Sequence, residues 1–217
     1  MADVSRNERT LLVVANLSTW GQPRLQWLYE WLDQNAVTVA KLLMAPHYRQ
    51  ILTLSGAQVT RSGFVDEIIR LAQEPQTKVL DVFLSLHGLR GVLYFEDGPV
   101  ESGAVGEELR QADLQHRLRL LYSTACFGAS HAVDFVRAGF RVASGAMALN
   151  ANGPYDFPTQ LLHWRAGETY RLAVRRANNR VFLETHDAIA RGLGFSDVNS
   201  EKAIEGKKLT RITSEAV

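Results

Sequence analysis

Four short apolar runs punctuate the chain, and each has the length of a β-strand. They are TLLVVANL at 10–17, KVLDVFLSLHG at 78–88, RLRLLYSTAC at 117–126 and FRVASGAMAL at 140–149. Apolar residues occupy both parities of these runs, a pattern typical of strands that are covered on both faces. A weaker run, YRQILTLSG at 48–56, predicts a fifth strand that ends at Gly56.

Amphipathic stretches between these runs predict helices. They are PRLQWLYEWLDQ, TRSGFVDEIIRLAQE, ESGAVGEELRQA and SHAVDFVRAG. Strands that alternate with helices of this length form βαβ units, which build a mostly parallel sheet with right-handed crossovers. The predicted fold class is therefore α/β, and a chain of this length is expected to form a single domain over residues 1–217.

Composition narrows the range of functions. The chain has 217 residues, 46% of them hydrophobic and 22% charged, and its net charge of +1 predicts neither a nucleic-acid surface nor a membrane surface. Its single cysteine excludes an internal disulfide framework and fits a reducing compartment. The apolar stretch behind the polar start is too short for a signal peptide or a membrane span. We therefore expect a cytoplasmic protein.

No pattern in the sequence predicts a cofactor or a metal site. Dinucleotide-binding and phosphate-binding glycine spacings are missing from the sequence, and its six histidines show no ligand spacing. We therefore expect no cofactor and no metal.

Two reactive side chains come at the carboxyl ends of predicted strands. His87 and Gly88 end the run at 78–88, and Cys126 ends the run at 117–126. Ligands and catalytic groups of open α/β sheets collect at this edge, and neighbouring strands lie about 4.8 Å apart. The two side chains are therefore expected to reach one substrate group. A free cysteine is also a common core residue, so a purely structural role for Cys126 is the alternative.

A thiol nucleophile needs a proton acceptor and a place for the oxyanion charge. His87 could act as the general base or acid. The backbone amides of Gly88 and Cys126 could hold the developing oxyanion. The helix predicted just after Cys126 would favour the thiolate through its N-terminal partial charge.

The segments VFLSLHG (82–88) and LLYSTACFGAS (120–130) together resemble the caspase and hemoglobinase clan of cysteine peptidases, in particular its bacterial-type caspase-like domains. The resemblance implies a three-layer sandwich and a cysteine endopeptidase that hydrolyses peptide bonds through an acyl-enzyme. Its implied catalytic dyad is His87 and Cys126, and its implied partner is a protein or peptide substrate. The histidine lies 39 residues before the cysteine here, compared with about 50 in caspases.

Two departures from the family pattern bear on specificity and activation. Thr124 stands where caspases carry a glutamine of the aspartate pocket and where metacaspases commonly carry an aspartate. Because Thr124 is neutral, we expect neither a strict Asp nor a strict Arg/Lys preference at P1, the residue before the scissile bond. About 13 residues separate Cys126 from Phe140, too few for the linker that caspases cut on activation.

By analogy with the family, the strand after the cysteine forms another wall of the specificity pocket. Its small residues Ser144, Gly145 and Ala146 would leave room for a substrate side chain, although small residues also permit close helix–sheet packing. The segment NANGPYDF at 150–157 predicts a loop at the same end of the sheet. This loop adds three candidate substrate-binding residues, Asn150, Tyr155 and Asp156.

Three further features complete the prediction. His131 is expected on the surface, carried away from the strand end by its helix. The region 89–100 predicts a hairpin with Asp97-Gly98 as its turn. The tail at 200–213 could supply an edge strand for a homodimer.

Two other functions stay open at the level of the sequence. One is a catalytically inactive caspase-like scaffold or regulatory domain. The other is a small-molecule cysteine hydrolase, glyoxalase or amidotransferase. In that class the catalytic histidine generally follows the cysteine, whereas His87 precedes Cys126.

Overall fold

The computed structural model describes residues 3–217. Within this range the helices are α1 (Gln26–Met44), α2 (Arg61–Gln73), α3 (Ser102–Gln111), α4 (Gly128–Arg137), α5 (Gly153–Arg165), α6 (Tyr170–Ala177) and α7 (Arg180–Gly192). The strands are β1 (Arg9–Asn16), β2 (Gln50–Ser55), β3 (Val79–Leu89), β4 (Val92–Phe95), β5 (Gly98–Glu101), β6 (Leu118–Ser123), β7 (Val142–Ala146) and β8 (Lys202–Gly206).

A mostly parallel sheet forms the middle of the molecule, with strand order β2-β1-β3-β6-β7-β8. The pairs from β2 to β7 are parallel, and β8 runs antiparallel to β7 at one edge. The end of β3 extends beyond the sheet and pairs with the β4–β5 hairpin, whose turn contains Asp97. This arrangement confirms the predicted α/β class and the predicted hairpin.

Helices cover both faces of the sheet, because successive strand residues point to opposite sides. Leu12 and Val14 of β1 join a core with helices α2, α3 and α4. Leu11 and Val13 join a second core with helices α1, α5 and α6. The result is a three-layer sandwich, and burial on both faces explains why the strands are apolar at both parities.

Some predicted boundaries were wrong. Helix α1 continues to Met44, well past the stretch that the sequence pattern indicated. The segment 150–157 is not wholly a loop, because α5 begins at Gly153 with Pro154 in its first turn. A proline in the first turn has no helical hydrogen bond to lose, so turn-forming composition and a helix start look alike in sequence.

The tail does form a strand, and β8 is the last strand of the sheet order. Pairing of β8 with a second copy stays a prediction. Among the residues that the structure describes, no helix is long and apolar enough to cross a membrane.

Candidate active site

The two reactive side chains lie at the carboxyl edge of adjacent strands. Strands β3 and β6 are parallel neighbours, and Leu84 is in register with Ser123. His87 follows Leu84 by three residues, and Cys126 follows Ser123 by three. The chain beyond Ser123 stays close to β3, because the Thr124 N–H donates to the Leu84 carbonyl at 2.9 Å. The register therefore brings His87 and Cys126 to the same edge of the sheet.

A tight turn positions Cys126 just before helix α4. Phe127 has a left-handed backbone with φ of 55°, which is uncommon for a residue other than glycine. Its N–H donates to the Ala148 carbonyl at 2.8 Å and ties the turn to the segment after β7. Helix α4 starts at the next residue, Gly128. The cysteine thus sits on a strand-to-helix turn with the helix N-terminus close behind it.

His87 is held by a backbone carbonyl and an aromatic ring. Its Nε2 lies 2.7 Å from the carbonyl oxygen of Leu17, and Tyr29 meets the imidazole edge-on with ring centroids 5.0 Å apart. Because a carbonyl only accepts, Nε2 must carry the hydrogen, which leaves Nδ1 of the neutral ring free to accept a proton. Burial lowers the pKa of His87 despite the Leu17 carbonyl, which acts in the opposite direction. The neutral form therefore prevails at pH 7.

The Cys126 thiol is also held in its neutral form. Burial raises its pKa, and this effect exceeds the opposing effects of the Asn150 N–H and the Lys202 charge. The Asn150 N–H donates to the sulfur at 3.4 Å. The resting site is thus a neutral thiol–imidazole pair, because desolvation dominates the pKa of both groups.

Gly88 lies directly against the cysteine turn. A Cβ at this position would come within 2.7 Å of the Cys126 carbonyl oxygen and 2.8 Å of the His131 ring, so only glycine fits without displacement. Within residues 3–217 the Cys126 N–H donates to no backbone carbonyl and to no side chain of another residue. An amide without an acceptor beside the thiol is chemically suited to receive an oxyanion.

A groove of ≈ 270 Å³ contains both reactive side chains in its lining. One wall consists of leucines from α1 and the turn before it, and another of residues on α7 and the loop that follows. The floor carries Ser85 and Thr124, and Asn150 lies at the end nearest the thiol. The Thr124 hydroxyl lies 3.2 Å from the Ser85 hydroxyl. A substrate side chain in this groove would lie beside both His87 and Cys126.

Among the predicted substrate-binding residues, Thr124 and Asn150 lie in the groove. The Asn150 side-chain amide also donates to the Thr124 carbonyl at 2.8 Å. Tyr155 and Asp156 lie elsewhere. Tyr155 stacks on Phe182 with ring centroids 3.8 Å apart. Asp156 is buried and accepts from the Tyr122 hydroxyl at 2.9 Å.

The small residues of β7 do not line the groove. Ser144 is fully buried, with its hydroxyl 2.5 Å from that of Tyr170. Gly145 packs against the main chain of Gly128, and Ala146 is fully buried. Their small size therefore serves the close approach of α4 to β7, which corrects the prediction of a pocket wall.

The prediction for His131 was also wrong, because its side chain is fully buried. Its Nε2 lies 2.7 Å from the Leu89 carbonyl, so it bonds the end of β3 to helix α4. Burial lowers its pKa. The end of β3 and Val92 of β4 lie against His131, and a helical sequence pattern alone does not indicate such coverage.

Three features of the site had no clear sequence signal. The Leu17 carbonyl is a backbone group, which no residue type marks. The Lys202 side chain is fully buried, with its Nζ 2.7 Å from an Asp156 oxygen. A lysine in a polar tail is instead predicted to be exposed. Helix α7 lines the groove with Ile189 and Ala190, and its amphipathic pattern is the one signal that could have indicated a packed helix.

Comparisons with known proteins bear on the fold. No protein-family model matches the chain, and no curated protein is a significant match by sequence. Among solved structures, it is similar to caspase-1 from Spodoptera frugiperda, with a TM-score of 0.63 and 13% sequence identity over 95% of this chain and 89% of that one. The chain therefore has a caspase-like fold.

Proposed function

We propose that this chain is a caspase-like cysteine endopeptidase in which Cys126 is the nucleophile and His87 the general base and acid. The observation that carries the proposal is the joint placement of these side chains in one groove at the carboxyl edge of the sheet. The caspase-like fold provides the scaffold on which this chemistry is known. We extend the proposal to residues 1–217 as one peptidase domain that acts on a protein or peptide substrate.

The proposed acylation step uses Nδ1 of His87, because Nε2 is bonded to the Leu17 carbonyl. Nδ1 of His87 accepts the thiol proton, and the Cys126 sulfur forms a bond to the scissile carbonyl carbon. The carbonyl electron pair moves to oxygen, where the Gly88 and Cys126 amides stabilise the charge. The carbon–nitrogen bond then breaks as Nδ1 returns its proton to the leaving amine. The product is a thioester between Cys126 and the acyl half of the substrate.

Deacylation uses the same groups with water. Nδ1 of His87 takes a proton from water, and the hydroxide attacks the thioester carbonyl. The carbon–sulfur bond breaks, and the proton returns to sulfur. The net reaction consumes one water and yields an acid and an amine. The Nε2 bond to Leu17 keeps the ring oriented throughout.

The proposal also covers specificity and location. Because Thr124 is neutral, it favours neither a strict Asp nor a strict Arg/Lys preference. The single free thiol is suited to a reducing compartment, and we propose that the enzyme acts in the cytoplasm.

The test is cleavage of a quenched fluorescent peptide library by the wild-type chain and by Cys126→Ala and His87→Gln. Both variants should lose about 10³-fold or more in kcat/KM, because the two groups act as a unit. His163→Gln is the control, since His163 pairs with Glu168 at the far end of α5. Circular dichroism should show the same fold for all four proteins.

The outcomes separate the rival functions. Retained cleavage by Cys126→Ala would rule out the thiol as nucleophile. Hydrolysis of simple amides or aldehydes without peptide cleavage would favour a small-molecule hydrolase. No reaction of any kind, and no labelling of Cys126 by a peptidyl ketone, would favour the inactive scaffold.

A further inference from the structure

The groove that contains His87 and Cys126 has an uncharged and mostly apolar lining. Of the side chains that line it within residues 3–217, none is a carboxylate, a guanidinium or an amine. Its walls are mostly apolar, with Leu28 and Leu32 on α1, Ile189 on α7 and the aromatic rings of Tyr29, Phe157 and Phe195. Its polar groups are neutral hydroxyls, side-chain amides, the Cys126 thiol and two imidazoles.

Three charged groups close in sequence to these walls have hydrogen-bond partners outside the groove lining. Asp33 of α1 accepts the backbone N–H groups of Leu17 and Ser18 at 2.9 and 3.1 Å. Asp187 of α7 accepts the Ser200 hydroxyl at 2.5 Å. Arg24 lies at the outer rim, where its guanidinium donates to the Leu193 carbonyl at 3.1 Å. None of these three groups is among the side chains that line the groove.

The size of the groove sets the class of side chain that fills it. A cavity of about 150 Å³ lined by leucine, isoleucine and phenylalanine holds a benzene ring. The groove here is larger, at ≈ 270 Å³, so it has room for a leucine, methionine or phenylalanine side chain. A small side chain such as that of alanine would leave most of the aliphatic wall exposed to water.

We propose that this groove is the P1 pocket and that it takes a large uncharged apolar side chain, of the leucine, methionine or phenylalanine class. The inference rests on the proposed peptidase function and adds the substrate class to it. Placing an ionised side chain there would strip its water without a partner charge, whereas an apolar side chain gains from the same burial. Thr124, next to Ser85 on the floor, adds only neutral hydroxyl groups.

The first test is a peptide library with P1 varied and the other positions fixed. Leu, Met or Phe at P1 should give the highest kcat/KM. Alanine should be about 10-fold to 100-fold slower, and Asp, Arg and Lys about 100-fold slower or more. Fastest cleavage after Asp, Arg or Lys would overturn the pocket assignment and leave the peptidase proposal standing.

The second test changes one wall of the groove. Ile189→Glu places a carboxylate at a position that is already 55% exposed, so the variant is expected to fold. It should lower kcat/KM for P1 Leu about 10-fold and raise the relative rate for P1 Lys and Arg. Ala188→Glu is the matched control, because it adds the same charge at the same turn of α7 outside the lining. Equal effects of the two variants would overturn the assignment.

A labelling experiment distinguishes failure of this inference from failure of the proposed function. Peptidyl acyloxymethyl ketones with Leu, Asp or Arg at P1 are reacted with the intact chain, and modification of Cys126 is followed by mass spectrometry. The Leu reagent should label fastest. Faster labelling by the Asp or Arg reagent would overturn only the pocket. If iodoacetamide modifies the thiol but no peptidyl reagent does, both proposals are wrong.

Discussion

Burial controls the chemistry of the site at the scale of single residues. Cys126 and His87 each sit in a poorly hydrated position, and each is shifted toward its neutral form. The hydrogen bond from Asn150 and the charge of Lys202 act in favour of the thiolate, and desolvation exceeds them. Under the proposed mechanism, the thiol therefore needs the imidazole at the moment of attack, because the two groups do not rest as an ion pair.

The pH dependence of Cys126 alkylation tests this balance. Because burial raises the pKa of the thiol, the inflection of the rate against pH should lie higher in the folded chain than in the chain unfolded by urea. The measurement is the rate of iodoacetamide modification across neutral and alkaline pH, read by mass spectrometry. The inflection pH is the observable, since limited access lowers the absolute rate at every pH.

The same shift has a consequence for stability. A group with a raised pKa in the folded state holds its proton more tightly there, so its contribution is full below the unfolded pKa. That contribution is lost as pH rises through the folded pKa. If the alkylation rate inflects at a lower pH in the folded chain than in the unfolded chain, the burial argument is wrong.

At this scale the sequence identified the reactive side chains but not the groups that surround them in the fold. His87 and Cys126 were identified because they end two apolar runs, and the register of β3 and β6 places them at one edge. The Leu17 carbonyl that orients His87 carries no side-chain signature. Ser144 was predicted to line a pocket because it is small. Small residues are equally suited to close packing. Burial by distant elements decides between the two.

Helix α4 and strand β7 approach closely enough that glycine is required on both sides. A Cβ on Gly128 would come within 2.8 Å of the Gly145 Cα, and a Cβ on Gly145 would overlap the Gly128 main chain. Both contacts involve backbone, which cannot rotate away as a side chain can. Since α4 begins just after Cys126, this contact also fixes the height of the cysteine turn over the sheet.

Gly145→Ala should therefore destabilise the fold by about 1–3 kcal/mol through overpacking. Urea unfolding followed by circular dichroism measures the change in free energy of unfolding. Gly192→Ala is the matched control, because a Cβ there meets nothing within 4 Å and alanine favours a helix. Equal stability of the Gly145 variant and the wild type would show that α4 can move away from β7 at little cost.

The strands were the most predictable elements. Two-sided burial gives each strand a short run that is apolar on both parities, and β1, β3, β6 and β7 all lie within the predicted runs apart from single-residue shifts at strand ends. Helices α5, α6 and α7 were not predicted, since their apolar residues are interspersed with charges. Helix α7 matters most, because it supplies a wall of the groove and the sequence pattern does not say where a surface helix packs.

At the scale of the whole molecule, the path from Cys126 to the next strand is short and well packed. Only residues 138–141 join α4 to β7, and Ala138 and Phe140 within that loop are buried. Its amides are engaged too: Phe140 donates to the Phe135 carbonyl at 3.0 Å, and Arg141 to the Leu118 carbonyl at 3.0 Å. A protease needs an exposed, extended segment, and this loop offers none.

The chain should therefore be active without being cut between Cys126 and β7. The measurement is peptide cleavage by freshly purified protein, with intact-protein mass spectrometry of the same sample throughout the assay. Activity should be present at the first time point, and the mass should stay that of the uncut chain. Two variants serve as controls, one with Arg137 and Arg141 both changed to Lys and one with both changed to Gln. Both should also be active at the first time point and stay uncut, because neither arginine is expected to be a processing site. Activity that appears only as a cut within residues 138–141 accumulates would contradict the prediction, since that loop would then have to leave its buried position before the enzyme could work.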